Sequence, residues 1–314
     1  MDAAILTEGL TKRFGTRLAV DGLNLHVRPG EIFGFLGPNG AGKTTTFGML
    51  LGLVRPTAGR ALVLGHDVQR QPELALRNVG AMVEAPAFYP YLSGRDNLRV
   101  LARAGGLSES RATAALDMVE LTDRADDTFK AYSQGMRQRL GIAAALLHGP
   151  ELVMLDEPTN GLDPAGQIEI RELIRTLAQS GRTIFLSSHL LHEVEQLCER
   201  VAILKAGRVI AEGMVAELLR RGRGVIARIA GDPARALELL HGIDWVGGVE
   251  QRADTLLIDA PTERAAEINA LLTTHAIPVA EIRGREERLE DFFLEVTRAQ
   301  GKVGTEAVGG NQRS

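Results

Sequence analysis

A single cysteine, Cys198, stands in the 314 residues. That excludes an internal disulfide or a metal site made of cysteine alone, and fits a reducing compartment. Aromatic residues are scarce at 4%, so those that fall in loops draw notice. No run of about 18 or more apolar residues occurs, so no segment is expected to span a bilayer. The opening residues, MDAAILTEGLTKRF, lack the basic-then-apolar order of a secretory signal, and a cytoplasmic protein is expected. The net charge of −4 gives no electrostatic case for nucleic acid or an anionic membrane surface. What is present is ordinary for a globular chain: 45% apolar and 24% charged residues. The length suits a main domain of about 200–220 residues and a smaller second one.

The stretch from Gly37 to Thr45, GPNGAGKTT, organises the rest. Gly37, Gly42, Lys43 and Thr44 have the spacing of a phosphate-cradling loop. The run before it, Glu31 to Leu36, reads as a short buried strand. After it, Phe47, Leu50, Leu51 and Val54 recur at helical spacing. A helix start presents unpaired N–H groups and the positive end of its dipole, which suits a polyanion. Gly37, Gly40 and Gly42 let the backbone N–H groups of the loop, Pro38 aside, wrap phosphates without a Cβ in the way. Asn39, Ala41 and Thr45 complete the wall. Lys43 supplies charge for the terminal phosphates and Thr44 a hydroxyl for Mg²⁺, which points to ATP.

Ahead of this loop, Ala3–Leu10 and Leu18–Val27 read as an antiparallel strand pair joined by a turn over Thr11–Thr16. Phe14 is then an aromatic in a polar loop, either stacking on a nucleobase or covering the sheet. Further on, a strand-like pattern from Arg77 to Val83 ends at Glu84. A proline-broken loop follows with Phe88, Tyr89 and Tyr91, a contact surface or local packing. Ser93 with Asp96 reads as a capping box, Ser108 as the cap of Arg111–Glu120, and a third helix as running from Ser133 to His148.

The run Leu152 to Glu157, LVMLDE, is the second decisive stretch. Four apolar residues ending in two acids read as a buried strand delivering carboxylates to its C-terminal edge, where ligands sit in parallel sheets. Asp156 is placed to bind Mg²⁺ and Glu157 to polarise an attacking water. A further strand, Thr183–Ser187, brings His189 to the same edge.

These motifs together resemble the nucleotide-binding subunit of an ABC transporter over roughly Ala3 to Leu219. Tyr132 to Met136 (YSQGM), followed by Arg137-Gln138-Arg139, is similar to the family's signature motif, with changes at its third and fifth positions. Asn160 to Asp163 resembles the D-loop, His189 the switch histidine and Phe14 the base-stacking aromatic. Glu84 sits where the coupling glutamine is usual. With the loop FYPYL and the late LEDFF (Leu289–Phe293), the likeness is to antibiotic and multidrug exporters of the bacitracin and daunorubicin type. The resemblance implies that two such domains pair head to tail. Ser133, Gln134 and Gly135 of one would then close on the other's γ-phosphate. It also implies a separate membrane permease, with this chain peripheral on the inner face of the membrane.

The expected fold is α/β: a P-loop ABC-type ATPase domain with an antiparallel β subdomain and a helical subdomain, over residues 1–220. A small C-terminal α+β, ferredoxin-like βαββαβ module is expected over 221–300. Residues 301–314, rich in glycine and polar residues, are expected to be disordered. The basic junction Arg220–Gly224 reads as a solvated linker, and Arg285–Arg298 as a final helix. ATP hydrolysis driving export of a drug-, antibiotic- or lipid-like substrate is the leading function. A soluble ABC ATPase acting on DNA or ribosomes is disfavoured by the single nucleotide domain, the lack of a heptad insertion and the lack of a basic stripe. A nucleotide-gated binding or immunity module is the third reading.

Overall fold

A computed structural model describes residues 3–84, 86–220, 224–285, 289, 290 and 293. Most of the Arg220–Gly224 junction, most of the expected final helix and the tail lie outside these residues. Leu289, Glu290 and Phe293 are helical. The chain divides into two units, Met1–Gly213 and Met214–Ser314, a cut a few residues before the expected one at 220.

In chain order the first unit has β1 (Ile5–Phe14), β2 (Arg17–Val27), β3 (Ile32–Leu36), α1 (Lys43–Leu50), β4 (Ala58–Val63) and β5 (His66–Asp67). Next come α2 (Pro72–Leu76), β6 (Val79–Met82), α3 (Gly94–Ala104), α4 (Ser110–Met118) and α5 (Gln134–Leu146). The unit closes with β7 (Leu152–Asp156), α6 (Pro164–Gln179), β8 (Thr183–Ser188), α7 (Leu191–Leu197), β9 (Arg200–Lys205) and β10 (Arg208–Met214). α8 (Val215–Arg220) falls beyond the cut.

The central sheet has the order β10-β9-β3-β8-β7-β6, with β6, β7, β8, β3 and β9 paired in parallel. Its inner strands are covered on both faces, which is why β3, β7 and β8 read as unbroken buried runs rather than alternating ones. Phe185 of β8 gathers Phe33 and Phe35 of β3 and Phe47 of α1, with ring centroids 5.0–5.9 Å apart. This cluster clamps α1, and so the loop before it, onto the sheet. Cys198 is buried beside Gly34, and burial pushes its thiol well above the usual range, so it is packing and not chemistry.

The second sheet, β2-β1-β4-β5, is the antiparallel subdomain. Here the expected turn over Thr11–Thr16 is corrected. β1 runs to Phe14 and pairs it with Arg17, leaving only Gly15 and Thr16 at the tip. Register shifts between Thr7 and Arg13 break the alternation that would have marked these residues as strand. Ser108 is also corrected: α4 starts at Ser110 with Glu109 at its N-cap, and the Ser108 hydroxyl bonds Ser110 instead. Ser93 does cap α3, accepting from Asp96 N at 3.0 Å.

The second unit carries β11 (Gly224–Ile229), α9 (Pro233–His241), β12 (Gly248–Arg252), β13 (Thr255–Asp259), α10 (Ala265–Thr274) and β14 (Val279–Arg285). Its sheet order β12-β13-β11-β14, antiparallel throughout, is the ferredoxin-like arrangement expected from the sequence. Its core joins Val225, Ala227 and Ile229 to Leu240, Ile268 and Leu272.

Candidate nucleotide site

Strand register brings the site together. Asp156 at the end of β7 pairs with Ser187 of β8, and Ser187 pairs with Phe35 of β3. The residues that follow these three adjacent parallel strands, Glu157, Gly37 and His189, leave the same carboxyl edge. Ser187 ties the row together: its hydroxyl donates to Asp156 Oδ1 and accepts from Glu157 N at 3.0 Å. The sequence reading missed it. The signal was there, as Ser187 is the first polar residue to break the buried β8 run.

The loop from Gly37 to Gly42 is pinned from the other side by Ala41 O, which accepts from Gly207 N at 2.9 Å. Gly42 has φ +111° at the N-cap of α1, and a Cβ there would stand 2.6 Å from Ala19 O. Only glycine fits, because both the conformation and the space exclude a side chain. Lys43 folds back over the loop, donating to Gly37 O at 2.6 Å and Pro38 O at 3.4 Å. Its ammonium is 5% exposed and lies 3.1 Å from Glu157 Oε1. The other Glu157 oxygen meets His189 Nδ1 at 2.7 Å. Glu157 holds this position with φ +52°, a left-handed conformation uncommon for a non-glycine residue.

A cavity of about 330 Å³ opens over the loop, lined by Phe14, Arg17, Ala19, Asn39, Gly40, Gly42, Lys43, Thr44, Thr45, Glu157, Asn160 and His189. Nine of the residues proposed from sequence therefore meet in it. Arg17 and Ala19 were not foreseen: Arg17 fell between the expected turn and strand, and Ala19 within the expected strand with no site role. Phe14, half exposed, has Lys12 Nζ 4.8 Å from its ring centroid, and Lys12 is anchored on Arg55 O. A cation on the π-face steadies the ring.

A second cavity, about 280 Å³, lies behind Thr44 and is lined by Glu84, Gln134, Gln138, Asp156, Glu157 and Asn160. Thr44 Oγ1 donates to Asp156 Oδ2 at 2.9 Å. Among the described residues no group of three or more His, Cys, Asp or Glu can hold a metal alone. One carboxylate plus one hydroxyl, with room beside them, is the donor set that suits Mg²⁺ carried in by phosphates. Glu84 adds an exposed carboxylate with φ +61° and, among the described residues, no hydrogen bond or ion pair. Ser133 caps α5, accepting from Met136 N at 3.2 Å. Neither Ser133 nor Gly135 lines either cavity, so they stand apart from this chain's own site.

A helix start, a glycine loop, a buried ammonium and two carboxylates can bind and split a nucleoside polyphosphate. The comparisons agree. The ABC transporter domain family matches residues 20–160. The chain is 40% identical over 299 residues to the bacitracin transport ATP-binding protein BcrA of Bacillus licheniformis, covering 94% of this chain and 98% of that protein. It is 39% identical over 314 residues to the daunorubicin resistance ATP-binding protein DrrA3 of Streptomyces coeruleorubidus, covering 96% and 98%. Among solved structures, a dimeric post-hydrolysis state of the ATP-binding cassette MJ0796, bound to ADP and phosphate, superposes with a TM-score of 0.60 at 26% identity, covering 67% of this chain and 98% of that one. The chain belongs to the ABC transporter family, as an ATP-binding and ATP-hydrolysing subunit.

Proposed function

We propose that this ATPase powers export of a drug-, antibiotic- or lipid-like substrate through a separate membrane permease, working as a pair of ATPase chains on the inner face of the membrane. The observation that carries the reading is the match to a bacitracin transport and a daunorubicin resistance ATP-binding protein along nearly the whole chain, C-terminal module included. It is supported by the finding that no helix among the described residues is long and apolar enough to cross a membrane. An exporter built on such a chain needs its pathway elsewhere.

In this reading the adenine stacks on Phe14 and the loop N–H groups hold the phosphates. Thr44 and Asp156, with Glu84 lining the same cavity, would hold Mg²⁺, which when bound would supply charge to offset that of the phosphates. Lys43 leaves Glu157 for the terminal phosphates. Glu157, freed, takes a proton from the attacking water, while His189 Nδ1 fixes the carboxylate's direction. Ser133, Gln134 and Gly135, at the N-terminus of α5, close on the partner chain's γ-phosphate. The exposed Tyr89 and Tyr91, which follow Glu84, face the permease.

The test is purification of the tagged chain from detergent-solubilised native membranes. The reading expects an integral membrane subunit to remain bound, and reconstituted ATPase activity to respond to an amphipathic drug. Retention of ribosomes or DNA in place of a membrane subunit would overturn it.

A further inference from the structure

Arg17 lies at the tip of the β1–β2 hairpin and is directly paired across the two-residue turn with Phe14. Side chains opposed on neighbouring strands share a face, so the turn that aims Phe14 at the cavity aims Arg17 there too. Both line the 330 Å³ space over the phosphate loop. The guanidinium lies over the loop itself: a Cβ built on Gly40, where φ is +80°, would stand 3.7 Å from Arg17 Nη2.

The charge there is uncommitted. Among the described residues the Arg17 side chain makes no ion pair and no hydrogen bond. By contrast Arg60, on the neighbouring strand β4, is taken by Glu8, and Arg208 of β10 by Asp21. Lys43, the other cation of the cavity, is held by Glu157. A free guanidinium beside a glycine loop that leads into a helix N-terminus calls for phosphate, which it can meet with two parallel donors.

We propose that Arg17 is a polyphosphate-binding residue of this site. It engages the β- and γ-phosphates of the nucleotide from the hairpin side while the loop holds them from below. Because its cation is free before nucleotide arrives, it makes first contact with the anion, and Lys43 follows once its bond to Glu157 breaks. Phe14 and Arg17 then read the two ends of one ligand from one hairpin. This rests on the reading that the cavity takes a nucleotide, and the experiment separates the two.

Equilibrium titrations of ADP, ATP and adenosine, without metal, are run on the wild type, Arg17→Gln, Arg17→Lys, Phe14→Ala and Lys43→Ala. Arg17→Gln is expected to weaken ADP and ATP roughly tenfold, the lower end for a charged hydrogen bond at an exposed site. Adenosine should bind within about twofold of wild type, Arg17→Lys should recover part of the loss, and the salt dependence of ADP binding should flatten. Phe14→Ala should weaken all three ligands. In hydrolysis assays Arg17→Gln should raise KM with kcat little changed, since the residue touches phosphates and not the attacking water. Unchanged ADP affinity in Arg17→Gln, with binding lost in Lys43→Ala, would overturn the assignment and leave the site standing. Equal losses for ADP and adenosine would also overturn it, since Arg17 would then act through Phe14. Normal ADP affinity in Lys43→Ala would remove the nucleotide from the cavity and the assignment with it.

Discussion

Lys43 Nζ and Glu157 Oε1 stand 3.1 Å apart, so the cation of the phosphate loop and the acid just after β7 neutralise each other. Both are largely buried, at 5% and 20% exposure, and truncating either leaves the other partly stranded. In the proposed site nucleotide binding would then be an exchange, in which Lys43 trades a carboxylate for phosphate. Lys43→Ala removes the incoming partner and is expected to abolish detectable ATP binding. A charged hydrogen bond is worth about 1.5–3 kcal/mol and Lys43 is placed to make more than one. Calorimetric titration with ATP checks it.

The start of β3 depends on a second buried pair. Arg200 donates to Glu31 at 2.9 Å and to Glu212 at 2.8 Å, and stacks on Phe33 at 5.3 Å. Glu31 is 6% exposed and also receives Arg28 N at 2.7 Å. Arg200→Ala would leave a buried carboxylate without its cation, at a cost of about 3–5 kcal/mol. Urea unfolding should show the loss in the midpoint. A change below about 1 kcal/mol would mean that water replaces the arginine.

Glu84 makes a prediction about metal. Its carboxylate shares a cavity with Thr44 and Asp156, where the family resemblance leads one to expect a neutral glutamine. An added anion strengthens a hard cation's hold. Glu84→Gln is expected to raise the Mg²⁺ needed for half-maximal ATPase activity and to weaken stimulation by the permease. Unchanged curves in both assays would make it a tolerated substitution.

Much of this site could be read from the chain because it rests on local physics. Gly37 to Thr45 between a buried strand and an amphipathic helix, and LVMLDE as a strand ending in acids, are patterns whose geometry follows from their spacing. The βαββαβ order of the second unit was legible for the same reason, since turn residues and period changes mark each element. What was missed depended on pairing between distant strands. The register that sets Ser187 beside Asp156 spans about thirty residues, and the irregular pairing of β1 hid both the length of that strand and the place of Arg17. Ser108 was misplaced because a serine near a helix start has two local bonding choices, and here it bonds Ser110.

The most direct test of the account is Glu157→Gln, assayed for hydrolysis and for assembly together. The substitution removes the acid that would take the water's proton, and with it the competitor for Lys43. ATP should bind at least as tightly as to wild type, while turnover falls by about 10²–10⁴-fold, the range for a positioned base. The unhydrolysed ATP should hold two chains together, so light scattering with ATP and Mg²⁺ should report a dimer where ADP gives a monomer. Normal turnover, or a monomer that persists with saturating ATP, would contradict the assignment of Glu157 and the paired site built on it.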